Sequence, residues 1–128
     1  MILVVEVKPG HRPEMKEIDF LIMGSYGEKL FNGSRRDHAN LGNDLYVTVG
    51  DSSALDGLPF NFTLTNGSAE DQVYGAAVFV KRIWERDGET FDPYKALLPG
   101  EAAAIVELFK RNRGTFDTRE LYKLLGWM

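Results

Sequence analysis

Two continuous apolar runs, residues 2–8 and 73–80, constrain this chain more than any other feature in it. The first reads Ile-Leu-Val-Val-Glu-Val-Lys and is stopped by Pro9-Gly10; the second reads Val-Tyr-Gly-Ala-Ala-Val-Phe-Val. Both are rich in β-branched residues and are of strand length, so the first reads as a buried strand and the second as a central one. Gly75 lies inside the second run and marks a bulge or a close-packed neighbour. At 128 residues, with 44% apolar and 12% aromatic content, the chain can build one real core.

Shorter signals fill in the rest. Residues 13–18 follow the first turn at hairpin distance, and their charged side chains suit an edge strand facing water. Residues 20–23 are apolar enough for a helix start or a short strand, while Gly24, Gly27 and Gly33 argue against a long helix. Residues 32–44 are polar and rich in Gly and Asn, which predicts a long loop. Residues 45–49 and 60–64 alternate apolar with polar and predict two more strands, and Asn66-Gly67 is a strong turn signal.

The period then changes. Pro99-Gly-Glu101 opens a segment that gathers Ala102, Ile105, Val106 and Phe109 on one face, a helix ended by Gly114 with Lys110 and Arg111 in its last turns. Asp117-Thr-Arg-Glu120 has the form of a capping box and introduces a short helix in a C-terminal extension over 115–128, with Trp127 packing it onto the body. Strands followed by helices predict an α+β fold, a single domain over 1–128 with a mostly antiparallel sheet of about five strands, a C-terminal helix and a short second helix.

Charge is divided unevenly. Residues 1–36 and 81–128 each carry +1, and residues 37–80 carry −6, with neither Lys nor Arg. That middle repels nucleic-acid phosphates and suits a basic protein partner. The residues expected to contact such a partner are Asp44, Asp51, Asp56, Glu70 and Asp71; Asp37 is the sixth acid. Many of these acids also stand beside Gly, Asn or Ser, where Asp serves turns by bonding nearby backbone.

Most chemical motifs are absent or misspaced. The chain has no cysteine, so disulfides, thiolate catalysis and Cys-based metal sites are excluded. Gly24-Ser-Tyr-Gly-Glu-Lys29 lacks phosphate-loop spacing, and the residue after Lys29 is Leu30. His11 and His38 are the only histidines, and 51–56 lacks the ligand alternation of a calcium loop, so no metal or cofactor is expected. Three Asn-x-Ser/Thr sites fall in turn-rich polar sequence, and the basic-aromatic stretch around Trp84 is cancelled by neighbouring acids.

The densest polar cluster is Arg35-Arg-Asp-His38. With Tyr26 it forms a second candidate site, in which Arg35 and Arg36 would grip a nucleotide or other anionic small molecule. A third reading makes His38 the base of a small enzyme. No stretch approaches the ~18 apolar residues of a membrane span, and the N-terminus lacks a basic leader, so a cytoplasmic protein without membrane contact is expected.

Several segments together resemble a small family of unknown function encoded by phages and plasmids. The opening strand leads into Pro9-Gly-His-Arg-Pro13 and closes on Ile18-Asp19; Leu58-Pro-Phe-Asn-Phe-Thr-Leu64 resembles the family's Leu-Pro-x-Asn-x-x-Leu. Tyr74-Gly-Ala-Ala-Val-Phe-Val80 is similar to its glycine-led hydrophobic strand, and 91–102 to the start of its last helix. The resemblance implies an accessory protein of a mobile element in a bacterial host, of the kind that binds and inhibits host defence or nucleic-acid-handling proteins. It supplies no catalytic residues.

Overall fold

The computed structural model describes residues 1–50, 56–82 and 94–127; Asp51 and Trp84 lie outside them. Its strands are β1 (Ile2–Val7), β2 (Glu14–Ile18), β3 (Arg36–Gly42), β4 (Leu45–Gly50), β5 (Phe60–Asn66), β6 (Ala69–Tyr74), β7 (Ala77–Lys81) and β8 (Thr115–Asp117). A 3₁₀ turn (Phe20–Ile22) leads into helix α1 (Met23–Leu30), and α2 (Pro99–Arg111) and α3 (Thr118–Leu125) close the chain. The fold is α+β. Five strands form an antiparallel sheet in the order β2-β1-β7-β4-β3, and a second sheet has the order β6-β5-β8, with β8 parallel to β5.

The apolar runs at β1 and β7 lie next to each other in the middle of the large sheet, which is covered on both faces. Alternation sends Ile2, Val4, Val78 and Val80 toward α1, where they meet Met23 and Phe31. It sends Val5, Val7, Leu45, Val47 and Phe79 to the other face, against α2 and the second sheet. Four phenylalanines hold that main core: Phe79 of β7, Phe62 of β5, Phe109 of α2 and Phe116 of β8. Ring centroids are 4.8 Å apart for Phe79–Phe116, 5.0 Å for Phe62–Phe109 and 5.2 Å for Phe109–Phe116. Each ring comes from a different element, so this one cluster ties both sheets to the helix.

Polar ties finish the joint. Asn61 Nδ2 donates to the carbonyls of Val7 and Gly75, both at 2.8 Å. Arg113, just past α2, donates to the carbonyls of Lys8, His11 and Asn61 and to Asn61 Oδ1. At the start of α2, Glu101 is buried; it accepts the N–H of Leu98 at 2.7 Å and pairs with Lys81 at 2.8 Å.

Three sequence expectations need correction. Within 32–44, expected as a loop, the chain forms strand β3; Asn43 and Asp44 both have positive φ (52° and 63°) and make a two-residue hairpin turn to β4. Edge strands need no apolar run, so composition hides this one. Residues 73–80 are not one strand: the chain leaves the small sheet at Tyr74 and enters the large one at Ala77. Gly75 makes the corner with φ +71° and donates its N–H to Pro59 O. The segment 115–128 is no appended helix, because β8 precedes α3 and puts Phe116 at zero exposure in the core.

Candidate functional site

The expected edge strand over 13–18 is β2, and the opposite edge of the large sheet is β3. In the small sheet β6 is an edge, with residues 69–72 all exposed. Between β3–β4 and β5–β6 lies a cleft of about 230 Å³, with Val47, Val49, Leu64 and Val73 in its lining. Asp37 enters it from β3 and Asp71 from β6. Asp71 stands opposite Leu64 in the register and shares its inward face, whereas Glu70, opposite Thr65, turns to the other side. No Lys or Arg lines the cleft among the described residues. Asn66 Nδ2 donates to Asn40 O at 3.0 Å and links the two sheets.

The expected acidic contact residues therefore divide. Asp71 faces the cleft with Asp37, and Glu70 flanks it on the same exposed strand. Asp44 sits on the β3–β4 turn, with about 16 Å of strand between Asp37 and Gly42, where that turn begins. Asp56 is exposed in the segment before β5. Asp37, a residue not among the expected contacts, is the one that the hairpin brings opposite Asp71.

The second candidate set lies on the α1 face of the large sheet. Arg35 is exposed just before β3, while Arg36 folds onto α1 and donates to Gly24 O at 3.1 Å. A Cβ at Gly27 would lie 2.6 Å from the Arg36 Cζ, so glycine there lets the guanidinium lie flat on the helix. His38 Nδ1 is 2.8 Å from Thr48 Oγ1 on the neighbouring strand. Burial holds the imidazole below its ordinary pKa, helped by the Arg82 and Arg36 charges and opposed by Asp37.

A hydroxyl beside an imidazole is half of a nucleophilic site. Thr48 is only 3% exposed, however, and Asp37 points to the opposite face of β3 from His38, so no carboxylate on that strand orients the ring. The hollow shared by Tyr26, Arg36 and Thr48 has a volume of about 20 Å³, room for a water and not for a nucleotide.

Tyr26 serves Glu6 instead. Glu6 interrupts the first apolar run and is 3% exposed. Its carboxylate accepts from Tyr26 Oη at 2.6 Å and Lys16 Nζ at 3.1 Å, with Lys8 Nζ at 3.5 Å. Burial pushes its pKa up, but the Tyr26 and Lys16 hydrogen bonds and the two lysine charges together outweigh burial and leave it lowered. Tyr26 is raised, by burial and by its bond to that carboxylate. This is a buried, compensated charge with a structural role.

Among the described residues no group of three or more His, Asp or Glu side chains is arranged to hold a metal ion, and no helix is long and apolar enough to cross a membrane. No family model, curated protein or solved structure matches the chain.

Proposed function

We propose that this chain is a non-enzymatic binding protein, an accessory protein of a phage or other mobile element, that takes a basic segment of a protein partner in the cleft between β3 and β6. The observation that carries the reading is the pair Asp37 and Asp71, which enter one cleft with an apolar floor from two edge strands. Strands β3 and β6 are sheet edges among the described residues; such edges offer backbone donors and acceptors to an extended segment, and the carboxylates select Lys or Arg on it. A host defence or nucleic-acid-handling protein, basic because it holds nucleic acid, has the required charge.

The test is titration with a synthetic peptide of alternating Lys and Val, followed by calorimetry at about 0.05 and about 0.5 M salt. Binding should weaken as salt rises. Asp37→Asn with Asp71→Asn should cost roughly five- to tenfold in Kd, the worth of two partly exposed ion pairs. Binding that ignores both salt and the double substitution would remove the cleft from this role.

A further inference from the structure

A hollow of about 560 Å³, larger than the β3–β6 cleft, lies between the β1–β2 turn and the C-terminal half of α2. Its size falls within the roughly 300–1,000 Å³ of small-molecule sites. His11 and Arg12 line it from the turn, Lys110 and Arg113 from α2 and just beyond, and Pro13 and Val106 give it an apolar wall. Four basic side chains thus converge where no Asp or Glu lines the cavity among the described residues.

Cations near a helix C-terminus are ordinary. The β1–β2 turn adds Arg12 and the imidazole of His11 from a distant part of the chain, and the turn is held in place. Arg113 clamps it through Lys8 O at 2.7 Å and His11 O at 3.0 Å. Those bonds and the two to Asn61 engage four of the five guanidinium N–H donors with neutral oxygens. The positive charge of Arg113 is therefore fixed in position, with no carboxylate paired to it among the described residues. His11 Nδ1 is 2.8 Å from Pro9 O, which can only accept, so Nδ1 carries a proton and that bond holds the ring against the turn. Neither Arg12 nor Lys110 forms an ion pair among the described residues.

We infer that this hollow binds a small phosphomonoester, its phosphate held by Arg12, Lys110 and Arg113 and its organic body lying against Pro13 and Val106. A dianion with three terminal oxygens matches several converging cationic donors better than a single carboxylate does. The site shares no residue with the β3–β6 cleft or with Arg35 and Arg36.

Phenyl phosphate, titrated by calorimetry with amide chemical-shift mapping, is the probe. It should bind with a Kd of roughly 1 mM or tighter and shift residues of the β1–β2 turn and the end of α2. Inorganic phosphate should bind more weakly, and benzyl alcohol should not bind. Arg12→Ala with Lys110→Ala, both exposed positions, should weaken binding roughly tenfold or more. Lys29→Ala with Arg119→Ala, which removes the same charge at exposed positions elsewhere, should leave it within about twofold. No binding, equal losses in the two double variants, or shifts confined to other surfaces would overturn the inference. So would tighter binding of an oligonucleotide without terminal phosphate, which would mark a nucleic-acid backbone surface instead.

Discussion

Replacing Phe116 by Ala tests whether the last fourteen residues belong to the core. The ring has zero exposure and lies 4.8 Å from Phe79 and 5.2 Å from Phe109, so its removal opens a cavity where strand, sheet and helix meet. Phe→Ala at such a site costs about 3–5 kcal/mol, which already includes the lost ring contacts. A chain of 128 residues has a total stability of about 5–15 kcal/mol, so the variant should stay folded but be much weakened. In urea, with a slope of about 2 kcal/mol per M, the midpoint should fall by about 2 M without a change in slope. Phe116→Leu should fall between Phe116→Ala and wild type. Leu124→Ala, at a more exposed position of α3, should cost about 0.5 kcal/mol or less. The assay is urea unfolding followed by circular dichroism. A loss under about 1 kcal/mol for Phe116→Ala would mean that β8 and α3 are an appendage after all.

Other consequences are equally concrete. The pKa of Glu6 is lowered in the folded chain, so the stability it contributes is present above its unfolded value of 4.5 and is lost as pH falls through its folded value. Glu6→Gln should therefore flatten the acid limb of melting temperature against pH, and Tyr26→Phe should flatten it partly. Gly42 has φ +94°, and a Cβ there would meet the Tyr122 hydroxyl, which donates to Leu41 O at 2.6 Å. Gly42→Ala should cost about 2–3 kcal/mol and Tyr122→Phe about 1 kcal/mol by chemical denaturation. Thr118 Oγ1 is buried without a hydrogen-bond partner among the described residues. Thr118→Val keeps the shape, removes that penalty, and should raise stability by about 1 kcal/mol in the same assay.

The sequence makes the strands at β1 and β7 legible because each is buried on both faces, which leaves an apolar run. Strand β3 is illegible for the opposite reason: Arg36 and His38 pack toward α1 and Asp37 faces a cleft, so its composition is that of a loop. The Asn43-Asp44 turn was a readable hairpin signal within it. Gly75 marks a bulge or a close-packed neighbour, but nothing local says that the chain turns there and changes sheets. A three-residue strand such as β8 has no period to detect, and its parallel partner β5 lies some fifty residues earlier.

The candidate sites divide in the same way. Partition of the charge singles out residues 37–80, yet pairing Asp37 with Asp71 takes the register of two hairpins and the packing of two sheets. Arg113 looks like any cation beyond a helix end, and only the fold shows it gripping the β1–β2 turn.

The reading of the β3–β6 cleft is tested most directly by a photo-crosslinking residue in place of Ala39, which lines the cleft from β3 two residues after Asp37. Irradiation in a bacterial lysate, followed by mass spectrometry, reports what touches that strand. The expected product is a crosslink to a basic protein through a Lys- or Arg-containing segment, abolished by Asp37→Asn with Asp71→Asn and retained with Asp44→Asn. Crosslinks of equal yield in all three proteins, or to partners without basic segments, would contradict that reading.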